Sequence, residues 1–301
     1  MKHGILENTS FIKDEYNSIS THHLKEVYDS NNIKILSTLS KTETHVIYKA
    51  IYRQTNCVIR QVTKYNNYCN FDNEIDIIKS LGDNHYIPRL LLYDKTNKFY
   101  ILEYVEGISW ASYIKKGRTI KEKIVGIRKI IDIMSFLHSR NIVHGDIHCS
   151  QFILKPDANM QIIDFDLISR VSKKNSSLIR GGALEYLEPE DIVESPFKII
   201  DNQKHYTMES EVYRLGVLMY CTFYNIPPYY EATWKDMYHA IQEARLELPE
   251  KDKHDNKIPE LIINIMKKCL AKDPAQRFKS AVEIREMFVH KILLNECCSL
   301  Y

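Results

Sequence analysis

Residues His144-Gly145-Asp146-Ile147-His148-Cys149-Ser150-Gln151 are followed, thirteen residues after Gln151, by Asp164-Phe165-Asp166. A hydrophobic run leads into the first motif, and Met160-Gln161-Ile162-Ile163 leads into the second. The order reads as loop, short strand, turn, short strand, with one carboxylate delivered from each loop. Two carboxylates converging in this way suit phosphoryl transfer, in which one accepts a proton from an attacking hydroxyl and the other holds Mg²⁺ on nucleotide phosphates. Asp146 is therefore the candidate base and Asp164 the candidate metal ligand.

Working outward, Ile33 to about Asp94 is strand-rich. Ile33–Leu36, His45–Ala50 and Cys57–Val62 read as three strands, and Leu90–Tyr93 and Phe99–Val105 as two more. Between them Phe71–Leu81 carries apolar residues at 71, 75, 78 and 81, the spacing of a helix with one buried face. After Gly107 the pattern turns helical. Ile120–Ser139 has apolar positions at 124, 127, 130, 131, 134 and 137, and Glu209–Tyr224, Trp234–Ala244, Ile258–Leu270 and Ser280–His290 read as further helices. Residues 1–32 are polar and lack clear periodicity, so they read as an extension with one helix near His22–Tyr28.

The paired loops resemble the catalytic and metal loops of the protein-kinase superfamily. The resemblance continues in Gly181-Gly182-Ala183-Leu184-Glu185-Tyr186-Leu187-Glu188-Pro189-Glu190, similar to the end of an activation segment, with Glu-Pro-Glu for Ala-Pro-Glu. Glu211-Val212-Tyr213-Arg214-Leu215-Gly216 is similar to the family's Asp-Val-Tyr-Ser-Leu-Gly, and Cys269 to Phe278 to Cys-Leu-x-x-Asp-Pro-x-x-Arg-Pro. These matches run from about Ile33 to His290. They imply an α+β, bilobal fold: an extension at 1–32, then a kinase-like domain over 33–301. Its β-rich small lobe with one helix would span 33–104, and its helical large lobe 105–301. The crossing would be Glu103-Tyr104-Val105-Glu106, with Glu103 and Val105 bordering a nucleotide. Arg277 would pair with Glu190 to tie the segment down.

ATP and Mg²⁺ are the implied cofactors, with Asp164 and Gln151 as metal ligands. Several departures accompany the match. Gly145 stands for the Arg of His-Arg-Asp, which leaves no obvious cation to receive an activation-loop phosphate. Gln151 replaces an Asn, carrying the same amide oxygen on one more methylene. Asp166 replaces the Gly of Asp-Phe-Gly, at a position where Gly permits positive φ and easy movement. His148 occupies the place of a Lys, and Asp-x-His is similar to aminoglycoside and choline phosphotransferases. Arg60 aligns with the Lys that bridges phosphates and a helix Glu, here Glu74. A guanidinium forks well onto a carboxylate but does not substitute cleanly for an ammonium at phosphate. Lys64 is a fallback, and the plain alternative for Arg60 is a half-exposed strand residue. The family's phosphate-cradling Gly-x-Gly-x-x-Gly corresponds to Ser40-Lys41-Thr42-Glu43-Thr44-His45, in which all three glycines are gone. Ile47, Tyr48 and Ala50 keep the apolar pattern that follows. Ser40 and Thr42 offer hydroxyls in place of backbone N–H groups.

A share of 44% apolar and 27% charged residues in 301 is that of an ordinary globular chain. A net charge of +2, from 41 basic and 39 acidic residues, gives no push towards nucleic acid. Seven cysteines (57, 69, 149, 221, 269, 297, 298) show no metal-ligand spacing. With no signal peptide before residue 20 and no run of eighteen apolar residues, the expectation is free thiols, no membrane partner and a cytoplasmic setting. The adjacent Cys297 and Cys298 read as tail residues. Two functional readings stay open. One is an atypical Mg·ATP-dependent kinase acting on protein or peptide hydroxyls. The other is a pseudokinase that serves as a binding or regulatory scaffold for a partner protein. A third, a small-molecule phosphotransferase, rests on His-Gly-Asp-x-His alone.

Overall fold

The computed structural model describes residues 27–63, 71–171, 184–190, 206–231, 233–243 and 246–293. Lys64, Gly181 to Ala183 and the start of the helix expected near His22 lie outside the described residues; residues 27–30 are helical. The chain divides into two compact units, one within Met1–Phe71 and Leu91–Glu103, the other within Asp72–Leu90 and Tyr104–Tyr301.

The smaller unit is built on a five-stranded sheet. Its strands are β1 (Ile33–Lys41), β2 (His45–Tyr52), β3 (Thr55–Val62), β4 (Leu90–Asp94) and β5 (Phe99–Glu103), in the order β1-β2-β3-β5-β4. β2 and β3 are joined by the two-residue turn Arg53-Gln54, whose φ values of 47° and 66° give the twist that suits a tight hairpin. Ala50, Cys57, Ile59, Phe99 and Ile101 form a core with no exposed surface. Tyr28, inside the stretch read as an extension, is part of that core: it packs edge-on against Phe99 and donates its hydroxyl to Gln61 Oε1 at 2.7 Å.

The larger unit is mainly helical. It holds most of α1 (Phe71–Leu81), then α2 (Trp110–Lys115), α3 (Ile120–His138), α4 (Met208–Tyr224), α5 (Trp234–Glu243), α6 (Glu260–Cys269) and α7 (Ala281–Leu293). Short strands β6 (Ile108–Ser109), β8 (Phe152–Leu154) and β9 (Met160–Ile162) form one small sheet, and β7 (Ile142–Val143) with β10 (Ser169–Arg170) another. Asp72–Leu90 groups with this unit, although it lies inside the 33–104 stretch read as the small lobe. Asn73 donates to the Ile168 carbonyl (3.2 Å), Ile162 N–H to the Tyr86 carbonyl (2.9 Å) and Gln161 to that of Ile87 (3.0 Å), which accounts for the grouping.

α3 begins at a capping box: Thr119 Oγ1 accepts from Glu122 N–H, and Glu122 Oε2 accepts from Thr119 N–H. Its Gly126 lies under the buried Trp110 ring, whose Nε1 donates to Thr222 Oγ1 on α4 at 2.9 Å. A Cβ on Gly126 would come 2.0 Å from that ring. Gly126→Ala gains about 1 kcal/mol of helix propensity, but it must displace a whole indole and break a buried hydrogen bond. The expected net loss is about 1–3 kcal/mol, a fall of several degrees in Tm by thermal denaturation. An unchanged Tm would refute the close approach.

Candidate active site

The loop bearing Asp146 hangs from one buried carboxylate. Thr207 caps α4 by accepting from Ser210 N–H, and the first turn of the helix then carries Glu211, which has no exposed surface. Glu211 Oε1 accepts from Gly145 N–H at 2.8 Å; its Oε2 accepts from His144 N–H at 3.1 Å and from His138 Nε2 at 2.9 Å. Ala281 N–H donates to His138 Nδ1 at 3.0 Å, so the ring proton must sit on Nε2, facing Glu211. Burial alone would push Glu211 up, yet the bond from His138 and the neighbouring charges and amides hold its carboxyl below the usual range. The longer side chain, Glu where the family has Asp, thus meets three donors.

Gly145 adopts φ +85°, and a Cβ there would lie 2.5 Å from the Leu167 carbonyl oxygen. The residue before Asp146 is therefore glycine for steric reasons. The second loop carries its strain elsewhere than expected. Asp164 is left-handed at φ +69°, whereas Asp166 is not among the positive-φ residues. The sequence-level concern that Asp166 needs glycine's freedom is corrected: the left-handed position is Asp164, and Asp tolerates that region better than most residues.

Asp146, His148, Gln151 and Asp164 come together. His148 Nε2 lies 4.0 Å from Asp146 Oδ2 and 3.1 Å from the Gln151 amide, and that amide lies 3.0 Å from Asp164 Oδ2. Ser150 N–H donates to His148 Nδ1 at 3.2 Å, which places the proton of the neutral ring on Nε2. A Nε2–H group cannot also accept from an amide NH₂. Gln151 Nε2 donates to Asp164 Oδ2 at 3.0 Å; with the amide turned, Oε1 would instead face both the His148 Nε2–H and the Asp164 oxygen, an arrangement that a cation between the two oxygens would satisfy. About 3.0 Å is also the edge of an octahedron with metal–oxygen distances of about 2.1 Å. The residues thus fit Mg²⁺, with Asp164 and Gln151 as neighbouring ligands. Burial first, and Asp166 next, push the Asp164 carboxyl up. Burial also lowers the pKa of His148, which keeps the ring neutral near pH 7.

The remaining candidates lie apart from this cluster in the chain. In the smaller unit, register places Ile47 opposite Arg60 on β3, and Arg60 in turn opposite Tyr100 on β5. Arg60 is 7% exposed, with its guanidinium 5.9 Å from the Tyr100 ring centre, so it is not a half-exposed strand residue. Glu74, on α1, is buried. Glu103 ends β5 and Val105 lies in the stretch that follows. Ser40 falls within β1, paired with Ile47, and does not lie in a loop. Thr42 starts a tight turn in which its own Oγ1 accepts from Thr44 N–H (3.3 Å) and His45 N–H (3.1 Å). The hydroxyl that sequence reasoning offered to phosphate is thus engaged by the turn itself.

A second anchor holds residues 184–190. Both terminal nitrogens of Arg277 bond Glu190 at 2.7 Å, and the other guanidinium hydrogens reach the carbonyls of Ala271, Glu209 and Lys272 at 2.8–3.0 Å. All five donors are used. A third contact was not foreseen. Arg214, 1% exposed on α4, donates Nε to Glu188 Oε2 at 2.8 Å and a terminal nitrogen to the Gly145 carbonyl at 2.7 Å. The sequence held the signal: Arg214 stands where the family has Ser, and Glu188 where it has Ala.

A sheet-built N-terminal region, a helical C-terminal region, and two carboxylate loops, the first of them hung from a buried helix, define a protein kinase domain. Residues 34–292 match the protein kinase domain family, and the chain belongs to it. It is 28% identical over 182 residues to serine/threonine-protein kinase PLK2 of Mus musculus, covering 59% of this chain and 25% of that protein. Myosin light chain kinase A of Dictyostelium discoideum is 27% identical over 187 residues, 60% of each chain. Serine/threonine-protein kinase ULK3 of Mus musculus is 23% identical over 245 residues, 78% of this chain and 47% of that one. The chain thus spans between a quarter and three fifths of these relatives' lengths.

Among the described residues no helix is long and apolar enough to cross a membrane, and four cysteines (57, 149, 221, 269) are free. Replacing Arg277 by Met should cost about 3–5 kcal/mol, because it removes both guanidinium bonds to Glu190 and those to three carbonyls. Urea denaturation reads this, and a loss below about 1 kcal/mol would contradict the five-bond arrangement.

Proposed function

We propose that the protein is a Mg·ATP-dependent kinase that transfers the γ-phosphoryl group to a hydroxyl of a protein or peptide. The observation that carries this reading is the 3.0 Å approach of the Gln151 amide to Asp164, beside an Asp146 loop fixed by Glu211. Bound ATP would supply the phosphoryl group, with Mg²⁺ neutralising its charge. Asp146 accepts the proton of the attacking hydroxyl. His148, neutral with its proton on Nε2, donates towards the oxygens between Asp146 and Gln151. Asp164 and Gln151 hold the metal. Arg60, with Ile47 opposite it, takes the position of the family's phosphate-contacting Lys, and Glu74 that of its carboxylate partner. Glu103 and Val105 border the base.

One observation favours the second reading, a pseudokinase that holds a partner protein. The Thr42–Thr44 turn has no glycine, and it spends the N–H groups of Thr44 and His45 on Thr42. Fewer backbone donors are left to cradle phosphate, so nucleotide affinity should be modest.

Calorimetric titration with ATP, with and without Mg²⁺, separates the two. The kinase reading expects binding that requires Mg²⁺ and weakens at least tenfold in Asp164→Ala. Binding that ignores the metal, or none at all, transfers support to the scaffold. In a transfer assay against generic protein acceptors, Asp146→Asn should lower kcat by about 10²–10⁴. Equal turnover in that variant would remove Asp146 from the role of base.

A further inference from the structure

Gly145 is gripped at both of its polar ends by one helix. Its N–H donates to Glu211 Oε1 at 2.8 Å, and its carbonyl accepts from Arg214 at 2.7 Å. Glu211 and Arg214 are three residues apart on α4, hence on one face. The Gly145 carbonyl and the Asp146 N–H belong to a single planar peptide, so fixing the carbonyl fixes the plane from which the Asp146 side chain departs. The same guanidinium donates Nε to Glu188 at 2.8 Å, and the Tyr206 ring lies 4.9 Å from its centre. Arg214 and Glu188 are 1% and 0% exposed, so neither charge is shared with water. Glu188 precedes by two residues the Glu190 that Arg277 holds, so the segment is fastened at two points.

We propose that Arg214 and Glu188 form a latch, specific to this chain, that couples the end of the activation segment to the Asp146 peptide and is closed without phosphorylation. Arg214 is a positioning residue in it, and the carboxylate of Glu188 is the acceptor that secures the guanidinium. The physical basis is the fork of the guanidinium, which reaches an acceptor on the segment and another on the loop at once; an ammonium could not hold both in this geometry. Gly145 offers no side chain that could bind an added phosphate, and the cation from α4 is already committed. The latch rests on the proposed function only for what Asp146 does; its geometry is independent of whether phosphoryl groups are transferred.

The test is the full chain carrying Glu188→Ala together with Arg214→Ser, the residues of the family pattern. This pair removes both charges and leaves neither buried alone. Amide hydrogen exchange by mass spectrometry should quicken at least tenfold in peptides covering 144–148 and 185–190, and stay within twofold in α3 and α6. Exchange in 144–148 within twofold of the unaltered protein, in a variant folded by circular dichroism, overturns the proposal. Should the pair fail to fold, Glu188→Gln keeps the shape and removes the charge, and the same two readings apply. Phosphatase treatment of the unaltered protein should leave exchange in both peptides unchanged, and a tenfold rise would overturn the independence from phosphorylation. Where transfer is measurable, the pair should lower kcat tenfold with KM for ATP unchanged. Absent transfer with the localised exchange intact would count against the kinase reading and leave the latch standing.

Discussion

The geometry of the candidate site depends on a carboxylate with no access to water. Glu211 takes bonds from two consecutive loop amides and from His138, whose other nitrogen is occupied by Ala281 N–H. A buried carboxylate with fewer donors would cost several kcal/mol or take up a proton. Because its donors come from the Asp146 loop and from α3, and His138 is in turn held by the start of α7, these elements must be in place together. The chain accommodates Glu in place of the family's Asp without losing that convergence.

Much of this was legible in the sequence. α1 follows from the 71, 75, 78, 81 spacing, α3 from its apolar positions at 124, 127, 130, 131, 134 and 137, and the larger unit's two carboxylate loops from motif order. Other features could not be read, for physical reasons. Arg53-Gln54 makes a left-handed two-residue turn with neither Gly nor Asn, because pairing of the flanking strands overrides local preference. Lys123, in the first turn of an amphipathic helix, reads as a solvent-facing residue. It is 1% exposed, donates to the Phe223 carbonyl at 3.0 Å and pairs with Asp252 at 3.6 Å, a partner more than a hundred residues away. At the site, the gathering of Asp146, Asp164 and Gln151 in one place followed from type and spacing. The tautomer of His148 did not, since it is set by the direction of the Ser150 N–H. The engagement of Thr42 in its own turn was not legible either, because a hydroxyl in a turn satisfies nearby backbone groups before it reaches a ligand.

The departures from the family fall into two kinds. Those in the larger unit are compensated by neighbours: Glu211 finds three donors, Gln151 still reaches Asp164, and the change to Arg214 is matched by the change to Glu188. In the smaller unit, the loss of the glycines is filled by a turn that satisfies itself. Packing density gives a reason for the contrast. A buried charge or amide that loses its partner is heavily penalised, whereas a surface turn can be rebuilt from its own side chains.

The left-handed backbone at Gly145 bears on how this protein can change over time. An Arg at that position would have to begin with a Cβ 2.5 Å from the Leu167 carbonyl, on a backbone at φ +85°. No single substitution there can restore a basic side chain without moving the residue 167 backbone as well. A lineage that has reached this arrangement is therefore held in it: control by an added phosphate at this spot would need concerted changes in two loops and in the Arg214–Glu188 pair. Selection for regulation would find easier routes elsewhere on the molecule.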